Sequence, residues 1–466
     1  MSYELSFEQA YATTKFHANG FKGIAWWKAG EGKTRLALNC WWKLRKECKH
    51  LIVVTRRKVF YDWENEALFK MELPAVIRTS TTVTAADFAP EAPPLILLLS
   101  GHERDIRKLD RKVPSLPIWD AVLVIDELYM YGNDRSARSK AVQWLNQLTL
   151  GTVGLSATVM SANDVRMIWG QCRALGIHHI LAPTKSDFVE RYMIPLALKY
   201  LPEGVTKMVN KPAAKGLIMK RLEGYVHLHY PKDSQRTIHS AVLPVEPTKA
   251  QLKEIEYIKE NWEFNELKYE HAPQVLHAIS GISNGWWRDA EGVYHHYESA
   301  KVDRLIVLLE ELWESGADRL LVWCHYRADV ERIAQVLPAE RVFTYRAGDK
   351  FNLKRWNTGR GKRVCLATMG SGASVNHFEH VQYAIYFSQN YKWVDLQQSM
   401  GRTNRKSSKH EPYYYYLHTR GSFDQDIQET VRESADGEKA IIDRLAYVLR
   451  RNPSTRSNEA IKDEGL

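Results

Sequence analysis

The chain has 466 residues, and 65 Lys and Arg against 55 Asp and Glu give it a formal charge of +10 at pH 7. Hydrophobic residues at 44% and charged residues at 26% are ordinary for a globular protein with sizeable cores, which excludes global disorder. No apolar run approaches the roughly 20 residues that cross a bilayer, and the acidic start MSYELSFEQ has no basic leader ahead of an apolar stretch, so an intracellular, cytoplasmic protein without membrane contact is expected.

Short apolar, β-branched runs recur between helical patterns at 23–27, 51–55, 95–100, 122–126 and 153–156, the rhythm of βαβ units and a parallel sheet. The rhythm fades over about 183–299, where prolines and glycines punctuate the text and a helix is expected over 249–269. It returns at 320–324, 342–345, 364–368, 384–387 and 413–417. These runs predict an α/β protein with lobe 1 over 1–182, a helical connector or insertion over 183–299, lobe 2 over 300–450 and a polar tail over 451–466. Cys40, Cys48, Cys172, Cys324 and Cys365 have no paired short spacing and read as reduced, buried thiols. Adjacent side chains diverge, so His178-His179 and His295-His296 are not read as metal ligands. The fifteen tryptophans mostly fall in apolar surroundings and read as core.

Lys28-Ala29-Gly30-Glu31-Gly32-Lys33-Thr34 follows the first strand and opens a helical pattern. That context suits a phosphate-binding loop: glycines let backbone N–H groups close on phosphate oxygens at a helix N-terminus, Lys33 reaches the β- and γ-phosphates, and Thr34 can ligate Mg²⁺. Trp27 stands where the strict pattern has glycine, so the loop is of the looser G-x-GKT form. The strand 122–126 ends in Asp126-Glu127, at the edge where an α/β sheet presents its active site. Asp126 would hold Mg²⁺ through water and Glu127 would polarise the attacking water. Further on, Gln398-Ser-Met-Gly401-Arg402-Thr-Asn-Arg405 places two arginines on one helical face, suited to charge developing at a γ-phosphate.

Taken in order, GKT, the Asp126-Glu127-Leu128-Tyr129 box, the Ser156-Ala157-Thr158 motif and Gln398-x-x-Gly401-Arg402-x-x-Arg405 resemble the motif set of superfamily 2 helicases. Within it the chain looks most like the Swi/Snf-type DNA translocases: 51–66, Phe188-Val189-Glu190-Arg191-Tyr192 and Trp393 are similar to their signatures, while Ser374 stands where the family usually has glycine. The resemblance covers about 5–436, and the compactness resembles small phage-encoded helicases. It implies two RecA-like parallel-sheet lobes, ATP and Mg²⁺ as cofactors, Gln9 reading adenine beside Phe7, Glu31 within the nucleotide loop, Ser156 and Thr158 coupling hydrolysis to movement, and Gln398, Arg402 and Arg405 acting on ATP from lobe 2.

In such engines nucleic acid crosses loops at strand ends, here Arg56, Arg57, Lys58, Ser100, Gly101 and His102 in lobe 1 and His325, Tyr326 and Thr368 in lobe 2, where hydroxyls, N–H groups and cations bind phosphates irrespective of sequence. The basic runs 104–112 and 350–363 are further candidates, although Trp356 reads as packing. The leading expectation is an ATP-dependent DNA helicase or translocase acting on duplex in preference to single strands, with RNA open, replication or transcription proteins as candidate partners, and a monomer. The rival is a nucleotide-gated binding module that remodels a protein complex with little unwinding.

Overall fold

The computed structural model describes residues 5–28, 30–112, 120–159, 164–197, 206–230, 237–346, 351–358, 361–369, 378–404 and 408–436. Strands β1 (Lys22–Trp27), β2 (His50–Thr55), β3 (Val76–Thr79), β4 (Leu95–Ser100), β5 (Ala121–Asp126) and β6 (Gly151–Ser156) form the first sheet together with β9 (Val226–His229), in the order β3-β4-β2-β5-β6-β1-β9. Every pair in it is parallel. Continuous apolar strands such as LILLLS suit this sheet because both its faces are covered. The period-two alternation sends Ile24 and Trp26 into one core and Ala25 and Trp27 into the other. Between β6 and β9 an antiparallel hairpin pairs β7 (Met193–Ala197) with β8 (Thr206–Asn210).

The second sheet begins with β10 (His239–Val245). The short antiparallel pairs β11 (Glu263–Phe264) with β12 (Leu267–Lys268) and β13 (Trp286–Arg288) with β14 (Tyr294–His296) follow. Then come β15 (Arg319–Cys324), β16 (Val342–Tyr345), β17 (Arg363–Thr368), β18 (Tyr383–Tyr386) and β19 (Tyr413–Thr419). The sheet order is β10-β19-β18-β15-β17-β16, again parallel throughout. The fold is therefore α/β with two RecA-like parallel sheets.

Contacts divide the chain into one unit of Met1–Lys232 with Ser434–Leu466 and another of Asp233–Glu433. The segment expected as a connector is thus shared out rather than standing apart. Its first part buries Phe188, Tyr192, Ala214, Ile218, Met219 and Leu222 against the first sheet and supplies β9 as an edge strand. Its second part supplies β10, and there Gln251, fully buried, donates to the Ile282 carbonyl at 2.7 Å and accepts from the Ala300 amide at 3.2 Å.

The helix expected over 249–269 stops at Asn261, a correction with a local cause. Trp262, Asn265 and Glu266 all take positive φ, and a pair of left-handed residues makes the tight turn of the β11–β12 hairpin. Trp356 is fully buried, as are Trp26, Trp41, Trp63, Trp169, Trp286 and Trp323, and all five cysteines are buried thiols. Among the described residues no helix is long and apolar enough to cross a membrane.

Candidate active site

In a parallel sheet all strands end at one edge, and here three neighbouring strands, β1, β6 and β5, deliver three motifs to it. After β1 the chain turns through Gly30 and Gly32, both at φ +85°, a left-handed conformation that L side chains resist. Gly32 then caps the helix Lys33–Lys43, so Thr34 lies in its first turn, where backbone amides have no partner within the helix. A Cβ at Gly32 would also stand 2.7 Å from Gln9 Nε2, the end of a side chain that would have to shift. Gln9 donates to the Gly32 carbonyl at 3.3 Å, while its oxygen accepts the Ser6 amide at 3.1 Å in the capping box of the first helix. The Lys33 ammonium spans the loop, donating to the carbonyls of Trp27 at 3.0 Å and Lys28 at 3.2 Å.

Asp126 ends β5. Its carboxylate accepts the Thr55 hydroxyl at 2.7 Å and the Glu127 amide at 3.0 Å. Glu127 itself sits at φ 54°, an uncommon left-handed conformation for a residue with a Cβ, which turns the chain sharply at the strand end. At the end of β6 the fully buried Ser156 hydroxyl donates to the Thr158 carbonyl at 2.6 Å and accepts the Thr158 amide at 3.2 Å, closing a small turn. The Tyr230 hydroxyl, just past β9, donates to the Ala157 carbonyl at 2.8 Å.

Three of the residues expected to touch nucleic acid in this unit, Arg56, Arg57 and Ser100, are engaged with protein groups. Arg57 holds both oxygens of Asp105 at 2.9 Å, and Arg56 donates to the Tyr129 hydroxyl at 2.9 Å. The Ser100 hydroxyl is buried and donates to Asp105. Burial works to raise the Asp105 carboxyl, but the bonds from Ser100 and Arg57 win and hold it below the usual carboxylate range. Gly101 leaves no room for a side chain, since a Cβ would lie 2.6 Å from the Tyr131 hydroxyl, and His102 is exposed. The Lys58 backbone lies in the turn Arg57–Val59, and its side chain is outside the described residues.

In the second unit His325 and Tyr326 follow β15 and are held from behind by a buried polar cluster. Asp329, fully buried, accepts the Tyr326 amide at 3.1 Å, the Trp286 indole N–H at 2.7 Å, the Asn284 amide at 3.0 Å and the Ser388 hydroxyl. Ser388 in turn accepts the His325 amide at 2.7 Å. Lys301, also fully buried, donates to Asp424 at 2.7 Å and to Asn284 at 3.2 Å. Burial pushes the His325 imidazole down to about 4 and the Tyr326 hydroxyl up to about 12, so both are neutral near pH 7 and His325 offers a hydrogen bond rather than a cation. Truncating one member of such a cluster leaves its partners buried and unmatched. Asp329→Ala is therefore expected to cost about 3–5 kcal/mol of stability, read by urea denaturation followed by tryptophan fluorescence.

The helix Trp393–Thr403 carries Gln398 and Arg402. Tyrosines of β18 and β19 fix it from below: Ser399 Oγ lies 2.9 Å from the Tyr386 hydroxyl and Thr403 Oγ1 lies 3.0 Å from that of Tyr414. Arg402 is 9% exposed, and its charge reaches Tyr345. Thr368 ends β17. Arg405 and the glycine-rich loop with Ser374 lie outside the described residues. Sequence reasoning missed the bond between Thr55 and Asp126, the β9 residues His227 and His229, and Tyr230 just past that strand. A short polar alternation, VHLH, was the available signal.

No family model matches the chain, and no curated protein matches it. Among solved structures it is similar to the Sulfolobus solfataricus SWI2/SNF2 ATPase core in complex with dsDNA, at 16% identity over 97% of this chain and 96% of that chain, with a TM-score of 0.41.

Proposed function

We propose that the protein is an ATP hydrolase that moves along or unwinds DNA, with Mg²⁺–ATP as its fuel. The observation that carries this reading is the convergence of the Gly30–Thr34 loop, Asp126-Glu127 and Ser156–Thr158 on one edge of one sheet. The donors fit the ligand. The two left-handed glycines open a concave row of amides ahead of a helix N-terminus, and the Lys33 ammonium rests on two loop carbonyls that phosphate oxygens can replace. A Thr34 hydroxyl and an Asp126 carboxylate are hard oxygen donors, as Mg²⁺ prefers, and Mg²⁺ needs few of them because it keeps much of its water.

In this reading Lys33 neutralises the β- and γ-phosphates, and Glu127 orients and deprotonates the attacking water. Gln9, whose carboxamide bridges the Ser6 amide and the Gly32 carbonyl, is the candidate for reading adenine. Gln398 supplies a hydrogen bond, and Arg402 and Arg405 the positive charge, that the transferred phosphoryl group requires. Ser156 and Thr158 pass the change to the rest of the first unit through the Ala157 carbonyl held by Tyr230. Arg56, Arg57, Lys58, Ser100, Gly101 and His102 line one set of phosphate contacts, and His325, Tyr326 and Thr368 the other. Arg57 then acts by sharing its guanidinium between Asp105 and a phosphate, which its exposed side chain permits.

The deciding experiment measures ATP turnover alone and with single-stranded DNA, duplex DNA and RNA, each over a salt series. A motor on duplex is expected to be stimulated at least tenfold by duplex, with stimulation falling steeply and log-linearly as salt rises. Turnover indifferent to every nucleic acid would favour a nucleotide-gated binding module instead.

A further inference from the structure

A carboxylate inside a phosphate cradle is an electrostatic anomaly. Glu31 lies between Gly30 and Gly32, where amides and Lys33 concentrate positive potential for phosphate, and an ionised side chain turned inward would oppose the ligand. The Glu31 side chain is only 5% exposed, and it lies against β9, its carboxylate 3.3 Å from His229 Nε2. The other nitrogen of that ring, Nδ1, is 3.9 Å from Glu8, and Glu8 is 3.2 Å from His227 Nε2. The chain of alternating groups ends on Trp27, whose indole N–H donates to His227 Nδ1 at 2.9 Å. Since Nδ1 of His227 is the acceptor, the proton of the neutral ring is on Nε2 and points at Glu8. Backbone pairing fixes the frame: Trp27 is in register with His229, and the Lys28 amide donates to the His229 carbonyl at 3.0 Å.

We infer that His229 is a positioning residue that holds the Glu31 carboxylate out of the phosphate cradle, with Glu8, His227 and Trp27 anchoring it. The inference rests on the ATP reading above and adds a specific device to it. Trp27, which departs from the glycine of the stricter loop, thereby acquires a role as the fixed end of the latch. It is fully buried and lies on the strand that enters the loop. Tyr230, next along the chain, holds the Ala157 carbonyl at 2.8 Å, so one strand end is tied to two of the three loops of the site.

Steady-state kinetics of the full chain in four forms test this: wild type, His229→Ala, His229→Gln and the double variant His229→Ala with Glu31→Gln. Releasing an ionised Glu31 beside the triphosphate is expected to raise the KM for ATP about tenfold while kcat moves less than about twofold. Gln at 229 keeps a donor and is expected to lose less than Ala. Removing the charge in the double variant is expected to bring KM back to within about threefold of wild type. A merely structural role for His229 predicts no such rescue. A double variant as weak as His229→Ala, or an unchanged KM in His229→Ala, overturns the proposal. Wild type that neither binds nor hydrolyses ATP overturns the underlying ATP reading, a result distinct from either of those.

Discussion

Lys33→Ala is expected to leave the fold intact and to bring ATP turnover down to the level of an enzyme-free control. The Lys33 ammonium bonds to the Trp27 and Lys28 carbonyls of the loop it spans, and its charge is what the β- and γ-phosphates of a bound nucleotide would need. Glu127→Gln separates binding from chemistry. The amide keeps shape and leaves the left-handed turn at φ 54° undisturbed, but it cannot take a proton. ATP binding should therefore stay within a fewfold of wild type while turnover falls by about a hundredfold or more. Titration with a fluorescent ATP analogue and a phosphate-release assay check the two halves. Near-normal turnover in either variant removes the assignment of the site.

The second large effect belongs to the arginines of the other unit. If Arg402 and Arg405 stabilise charge on the transferred phosphoryl group, Arg405→Ala should leave nucleotide affinity within severalfold while turnover falls on the order of a thousandfold, the scale of an arginine finger. Arg405→Lys keeps a charge but loses the planar fork and should rescue little. The residual rate should also lose its response to duplex DNA. Arg402 is the harder position to interpret, because at 9% exposure its replacement also disturbs packing under the helix Trp393–Thr403. An unchanged stimulation ratio with near-wild-type turnover in Arg405→Ala would make the arginine motif a surface feature.

The two sheets were legible because buried parallel strands are written as unbroken apolar runs, and HLIVVT, LILLLS and AVLVID admit few other readings. The edge strands were not. β9 reads VHLH, too short and too polar for that signature, and β10 contains Pro244, which argues against a strand unless the strand lies at an edge. That is where β10 lies. The Gly30–Thr34 loop and the Asp126-Glu127 pair could be picked out as a candidate site because the proposed chemistry fixes residue types at close spacing. The bond between Arg57 and Asp105 was not legible, since its partners are 48 residues apart and only the fold brings them together. The same holds for Lys301, whose full burial beside Asp424 no local pattern announces.

The position of β10 also decides how the chain can be divided. A fragment cut at residue 300, the boundary that the apolar rhythm suggests, would discard the partner of β19, which pairs with β10 along the whole of Tyr413–Thr419. The strand left bare, YYYYLHT, has no proline, glycine, lysine or glutamate to discourage a stranger from pairing with it. Long uncharged edges of that kind recruit other chains. The self-association of such a fragment would thus reflect where the scissors fell. The seven residues His239–Val245 act as a built-in cover that keeps a tyrosine-rich strand from becoming a template.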